Sequence, residues 1–403
     1  MQDKLFNLIQ KETDRQAETL TLIPSENYAS LAVREAVGSV LANKYAEGYP
    51  GRRYYQGNEV MDEIETLAIE RGKKLFRLEH INVQPYSGSP ANLAVLMALM
   101  NPGETICGMD LNSGGHLTHG HRASVTGKWF RSVQYGVNKE GKIDYDAVAE
   151  LVLKGKPKVI FAGTTAYPWN FDWERFAQIA DSVGAYLVAD ISHIAGLVAG
   201  GVLESPVDYA HIVTSTTHKS LRGPRGAFIG VTNNGLEKDE SLDQKIDRAV
   251  FPGLQGGPHM NTIAGMAVAF EEASQPVFGE YARQVVKNAK VLADGLRAGE
   301  LKVFGTENHL LLVDMGVEGG KEMAVKLEQA GIVVNANTIP GEKGSPIRPS
   351  GIRIGTPAVT TRGMKENEMK LITSLILRVN GGESPDKIKE EVLAICRKFP
   401  CPK

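Results

Sequence analysis

Short apolar runs rich in Val and Ile recur along the chain at residues 104–110, 157–163, 185–191 and 209–217, separated by segments with helical patterning. Runs of this length fit strands buried on both faces, and the helical segments supply the crossovers that parallel strands need. The pattern predicts an α/β fold with a mostly parallel sheet covered by helices on both faces. Residues 81–84 read as a further strand and 226–231 as a short strand returning after a loop. Val60, Ile64, Leu67 and Ala68 mark one face of a helix. A long helical segment at 258–298 leads into a smaller α+β C-terminal domain carrying strand-like runs at 310–314 and 352–354. With 403 residues the chain is long for a single core. Three parts are expected: an N-terminal segment 1–50, a large domain 51–275 and a small domain 276–403.

Composition excludes several function classes. The net charge of −2 and the lack of a dense Lys/Arg tract leave no footprint for nucleic acid or a membrane surface, so small anions are the expected ligands. The start Met1-Gln-Asp-Lys has no secretory pattern, and no apolar run approaches ~18 residues, so a cytoplasmic protein is expected. Cys107, Cys396 and Cys401 form neither a zinc pattern nor a disulfide framework. Reduced thiols and no metal are expected.

The chemistry concentrates where buried strands become loops. Lys219 closes the run His211-Ile-Val-Thr-Ser-Thr-Thr-His218 and opens onto Ser220-Leu-Arg-Gly-Pro-Arg-Gly226. A strand holds such an amine in register, the Gly and Pro residues turn the chain away, and desolvation lowers its pKa, as a lysine condensing with an aldehyde requires. A solvated lysine past a strand end is the plain alternative. Asp190 ends the run at 185–191, with His193 three residues later. In open α/β sheets ligands bind beyond the carboxyl ends of the strands, so Asp190 and Lys219 can face one crevice. A buried carboxylate there needs a cationic partner; the protonated ring nitrogen of pyridoxal phosphate is one, and a helix cap is the other reading.

Tyr86-Ser-Gly-Ser-Pro-Ala-Asn92 lies between a strand-like run and a helical one. Ser87, Gly88 and Ser89 at a helix start, with Pro90 in the first turn, describe an anion cup that a phosphate fits, or an ordinary turn. Gly256-Gly257-Pro258 offers another loop of exposed amides with the same two readings. Lys219-Ser220 follows His218 rather than Gly, so no P-loop is present.

Together these parts resemble the aspartate-aminotransferase-like fold of pyridoxal-phosphate enzymes, and the fuller wording resembles serine hydroxymethyltransferases. The matching stretches are Leu22-Ile-Pro-Ser-Glu-Asn27, Asn43-Lys-Tyr-Ala-Glu-Gly-Tyr-Pro-Gly51, Arg53-Tyr-Tyr55, Gly114-Gly-His-Leu-Thr-His-Gly120, Thr216-Thr-His-Lys219, Gly223-Pro-Arg-Gly226 and Phe251-Pro-Gly253, in family order from about residue 22 to 363. The resemblance implies a seven-stranded sheet in which 226–231 is the antiparallel member. It also implies pyridoxal 5'-phosphate as cofactor, and serine, glycine and tetrahydrofolate as substrates.

The same resemblance carries residue roles. Lys219 would hold the cofactor, Asp190 its ring nitrogen, and His116 would stack on its ring. His193 would contact its phenolic oxygen, while His218 and Thr216 would tune the reaction. Ser25, Ser87, Gly88, Ser89, Thr165 and Arg225 are further cofactor positions. Arg353, in Ser350-Gly-Ile-Arg-Ile-Gly355, would clamp the substrate carboxylate through its planar fork. Ser25, Tyr54 and Tyr55 would also touch substrate. Glu47 would move a proton as the Cα–Cβ bond breaks. Tyr45, Glu47, Gly256 and Gly257 would reach the site of the neighbouring subunit, implying a homodimer with shared active sites. Pterin contacts are implied at Leu111, Gly115, His116 and Leu117, and at Ser345, Pro346 and Ile347. His119 and His121 receive no comparable role, and strand alternation would turn the ring of His218 away from Lys219.

The chain departs from the family's wording at Pro24, Gln56 and Thr165, in the loop 341–345, and at 168–170. A modified pterin carrier is therefore an alternative. A threonine or allo-threonine aldolase would share the lysine, the aspartate and the anion cup without a pterin pocket. A non-catalytic binding role would instead call for lost lysine chemistry or a basic aromatic surface.

Overall fold

A computed structural model describes residues 3–402. The chain forms two compact units, one of Ala29–Ala282 and one combining the residues up to Tyr28 with those from Arg283 onward.

The first unit is built on a seven-stranded sheet. Its strands are β1 (His80–Asn82), β2 (Thr105–Met109), β3 (Arg131–Tyr135), β4 (Val159–Gly163), β5 (Tyr186–Asp190), β6 (Ile212–Thr216) and β7 (Ala227–Val231), in the spatial order β1-β7-β6-β5-β4-β2-β3. β7 runs antiparallel to both neighbours, and the remaining ladders from β6 through β3 are parallel. Strands β4, β6 and β7 are buried at every residue; β4 and β7 read as apolar runs, whereas β6 buries the hydroxyls of Thr214, Ser215 and Thr216.

Three local readings need correction. β3 escaped the sequence pattern because it is an edge strand whose first residues, Arg131 and Ser132, are exposed. The helix Glu59–Phe76 does form, but it buries Met61, Glu65, Ala68, Gly72 and Phe76, leaving Val60 and Leu67 exposed. Its inner face is chosen by close approach: a Cβ on Gly72 would lie 2.7 Å from Ile81. The segment expected at 258–298 is two helices, Met260–Ser274 and Pro276–Ala298, the second opening on a proline that suits a first turn.

The second unit carries a four-stranded antiparallel sheet of β8 (Lys302–Phe304), β9 (Leu310–Asp314), β10 (Asn335–Asn337) and β11 (Gly351–Gly355), in the order β8-β9-β11-β10. Leu20 and Leu22 join Leu311, Val313, Ile352 and Ile354 in its core, so the part of the N-terminal segment up to Tyr28 belongs to this unit, whereas its remainder from Ala29 belongs to the first. Among the described residues no helix is long and apolar enough to cross a membrane.

Candidate active site

The parallel strands β4, β5 and β6 end on Gly163, Asp190 and Thr216, and the candidate site lies at these carboxyl ends. Asp190 is buried and fully engaged. Its Oδ2 accepts from Asn92 Nδ2 at 2.9 Å and from His119 Nε2 at 3.0 Å, while its Oδ1 accepts from the Ser192 hydroxyl at 2.6 Å and the Ser192 amide at 3.1 Å. Burial alone would raise its pKa, but the hydrogen bond from His119 and its electrostatic influence, with the Ser192 bonds, hold the carboxyl well below the usual carboxylate range. The fold therefore maintains an ionised carboxylate in a nearly dry place. Gly163 makes room for it, since a Cβ there would meet the Asp190 carbonyl at 2.5 Å and its Cβ at 2.6 Å.

One amide ties this carboxylate to His116. Asn92 Nδ2 also donates to Thr118 Oγ1 at 2.9 Å, and its Oδ1 accepts from Thr214 Oγ1 at 2.8 Å. The Thr118 hydroxyl lies 2.7 Å from His116 Nδ1, and the Thr118 amide donates to the same nitrogen at 3.3 Å. Accepting at Nδ1 places the proton of His116 on Nε2. Burial, with the charges of His119 and Lys219, lowers its pKa to about 4, so the ring is neutral at physiological pH. A neutral, half-buried imidazole is suited to lie against a flat ring.

Lys219 is half-buried, three residues past the end of β6. The chain around it is braced on both sides. The Ser220 hydroxyl donates to the His193 carbonyl at 2.8 Å and accepts from the Gly196 amide at 3.0 Å; Thr217 Oγ1 donates to the Pro224 carbonyl at 2.6 Å. His218 also lies beyond β6, so strand alternation does not orient it. Burial and the charges of Lys219 and Arg225 lower its pKa to about 3, and its Nδ1 is buried without a hydrogen-bond partner, as is Thr216 Oγ1. Arg225 itself is exposed, 3.4 Å from His218 Nε2.

The helix Gly88–Leu99 begins beside Thr216: a Cβ on Gly88 would lie 2.8 Å from Thr216 Cγ2. Ser87 caps this helix in position but makes no side-chain cap bond, so its hydroxyl and the first-turn amides form a cradle of donors suited to an anion. A cavity of about 480 Å³ opens there, lined by Ser89, Leu93, Leu117, Thr118 and Leu254 among others. Leu111 and Gly115 lie on the preceding turn, where Thr165 donates to the backbone carbonyls of Gly114 and Gly115.

A second group gathers on the same unit. Glu47 Oε1 sits 3.3 Å from where Gly256 would carry a Cβ, and the Tyr45 ring sits 3.0 Å from the same position on Gly257. Tyr45 and Tyr55 are exposed and 5.2 Å apart between ring centroids; Tyr54, also exposed, packs its ring on Phe251. Tyr86, next to the Ser87 cradle, donates to the Gly257 carbonyl at 2.7 Å.

The other unit holds Arg353 and Ser25. Arg353 lies on β11, is only 8% exposed, and donates from Nε to Asn335 Oδ1 at 3.0 Å across the β10–β11 ladder. Burial lowers its pKa to about 10, which leaves it cationic at neutral pH. Ser25 follows Pro24, whose Cα occupies the space a Cβ on Gly355 would need. Ser345 is half-buried, and Pro346 and Ile347 are exposed on a loop held by Glu342, which accepts from the Gly344 amide at 2.6 Å.

The family model described as serine hydroxymethyltransferase matches residues 1–376. Relatives named serine hydroxymethyltransferase are 54% identical in Acidothermus cellulolyticus (99% of this chain, 95% of the relative) and 52% identical in Desulfotalea psychrophila (99% and 94%) and in Legionella pneumophila (99% and 96%). The chain belongs to the serine hydroxymethyltransferase family.

Within that family frame, the resemblance drawn from the sequence motifs holds, as does the mostly parallel seven-stranded sheet. The structure also brings in residues that sequence reasoning left out. His119, which receives no role from the sequence, is fully buried, bonded to Asp190, and stacked on Phe161 with ring centroids 4.7 Å apart. Asn92 and Asn335 bond partners 98 and 18 positions away, which no local pattern reveals, whereas Ser192 and Thr118 bond Asp190 and His116 only two positions away. The one available signal was that Asn92 and His119 are polar residues inside otherwise apolar or family-matching stretches.

Proposed function

We propose that the chain reversibly transfers the hydroxymethyl group of serine to tetrahydrofolate, giving glycine and 5,10-methylenetetrahydrofolate, with pyridoxal 5'-phosphate bound covalently through Lys219. The observation that carries this reading is the buried, ionised Asp190 at the end of β5 together with Lys219 just past the adjacent β6. The buried, unpartnered Thr216 Oγ1 and His218 Nδ1, and the uncommitted Ser87 cap, fit a polar ligand that also carries an anion.

When bound, pyridoxal phosphate supplies an electron-withdrawing ring that accepts the electron pair released at the substrate Cα. Asp190 favours the protonated ring nitrogen, because an ionised carboxylate in a low-dielectric site is stabilised by a neighbouring cation. His116 would stack against the ring, and His193 and Thr165 would meet its phenolic oxygen. Ser87, Gly88 and Ser89 hold the phosphate at the helix start. Arg353 binds the substrate carboxylate with Ser25 nearby, which selects the bond at Cα that is broken. Glu47 accepts the hydroxyl proton of serine as Cα–Cβ cleaves and returns a proton in the reverse direction, a contribution of roughly 10²- to 10⁴-fold. Leu111, Gly115 and Leu117, with Ser345, Pro346 and Ile347, contact the pterin. In a homodimer with shared sites, Tyr45, Glu47, Gly256 and Gly257 serve the partner's cofactor, in keeping with their grouping as one cluster.

Borohydride reduction of the purified protein followed by peptide mapping tests the reading. A reduced cofactor adduct is expected on Lys219, and an adduct on another residue, or none, overturns it. A visible band near ~420 nm should accompany the bound cofactor, and a longer-wavelength band should require glycine and tetrahydrofolate together.

A further inference from the structure

Glu47 stands in a segment with almost no regular structure, yet every backbone carbonyl from Tyr45 to Gly48 is held by a donor outside the segment. Tyr45 O accepts from Lys44 Nζ at 3.1 Å and Asn58 Nδ2 at 3.3 Å. Ala46 O accepts from Arg53 Nη1 at 2.8 Å, and Glu47 O from the Tyr54 amide at 3.0 Å. Gly48 O accepts from Arg53 Nη1 and from Gln84 Nε2, both at 2.9 Å. Behind them a buried circuit closes. Gln84 Nε2 also donates to Glu65 Oε1 at 2.7 Å, and Arg53 Nη2 donates to Glu65 Oε2 at 2.6 Å.

Two of these donors are buried amides, each committed to two acceptors. Asn58 and Gln84 are 5% and 2% exposed, and each leaves its side-chain oxygen buried without a partner. Their amide orientations are fixed by chemistry, because Tyr45 O, Tyr55 O, Gly48 O and Glu65 Oε1 can only accept. An apolar side chain at either position would leave the acceptors it serves short of a donor, the buried Glu65 Oε1 among them at position 84, and would lose the grip on the loop.

We propose that Asn58 and Gln84 are positioning residues that fix the backbone on either side of Glu47, so that its carboxyl meets the serine hydroxyl in a reactive pose. This rests on the reading of Glu47 as the proton-transferring group. Neither amide touches substrate. Both act through the carbonyls of Tyr45 and Gly48.

The test uses the holoenzyme with the variants Asn58→Ala and Gln84→Met, alone and combined with Glu47→Gln. Each single amide variant is expected to lower kcat for serine cleavage about tenfold, with the KM for serine changed less than about twofold. In the Glu47→Gln background the same changes should cost less than about twofold more, because the group they position is already disabled. Equal losses in both backgrounds, or parental kcat in Asn58→Ala and Gln84→Met, overturn the proposal. If Gln84→Met does not fold, Asn58→Ala decides on the same criteria. A Glu47→Gln variant at the parental rate overturns the reading of Glu47 itself, a distinct result.

Discussion

His119 and Asp190 form a pair in which Nε2 donates to Oδ2 at 3.0 Å with the histidine side chain wholly buried. They are 71 positions apart in the chain, and the contact is made because β5 ends beside the turn that follows β2. The bond keeps the carboxylate charged where burial alone would neutralise it. Removing it with His119→Ala should weaken cofactor binding by about tenfold to a hundredfold, the range for one hydrogen bond to a charged group. Titration of the apoenzyme with pyridoxal phosphate measures this, and parental affinity would refute the assigned role.

Gly163→Ala places a methyl group against the Asp190 backbone and Cβ, neither of which can swing aside. We expect a loss of about 1–3 kcal/mol in unfolding free energy, as for overpacked cores. Denaturant melts of the apoprotein report it, and a lower cofactor affinity should accompany the shift.

His211 supplies a pH dependence outside the site. Its Nδ1 accepts from the Leu187 amide at 2.9 Å, and burial, with Lys238 nearby, lowers its pKa to about 4. Below about pH 6.5 the unfolded chain binds a proton at this residue that the folded chain refuses until near pH 4, so stability falls as pH drops through that window. His116 adds in the same direction. The urea midpoint should decrease between pH 7.5 and 5, and His211→Gln should make that decrease smaller.

Arg353→Lys keeps the charge but loses the planar fork that Asn335 orients. The KM for serine should rise about tenfold to a hundredfold, the value of one charge-assisted hydrogen bond or slightly more. Steady-state kinetics at saturating tetrahydrofolate check it; an unchanged KM removes Arg353 from the substrate site.

Shared sites predict complementation. Lys219→Gln and Glu47→Gln homodimers should each be nearly inactive, whereas a subunit-exchanged mixture should recover about a quarter of parental activity, because half the dimers then hold one intact site of two. No recovery despite verified exchange would place both residues in one subunit's site.

Much of the fold was legible because burial on both faces leaves a direct mark on composition. β4 and β7 could be read as apolar runs and β6 as a β-branched one, whereas β3 could not, since an edge strand with exposed Arg131 and Ser132 carries no such mark. The helix Glu59–Phe76 misled for a related reason. Its buried face includes Gly72 and the ion-paired Glu65, which no hydrophobic pattern selects.

The sequence by itself determined the alternating α/β order, the lysine and the carboxylate at strand ends, and the motifs that mark the family. Only the tertiary structure decided that His119 and Asn92 keep Asp190 ionised, that Asn335 orients Arg353, and that Arg53, Asn58 and Gln84 hold the backbone around Glu47. The physical reason is range. Strand and helix patterns arise from neighbours in the chain, whereas these hydrogen bonds join groups as far apart as the 98 positions between Asn92 and Asp190, and exist only once packing has removed water from both.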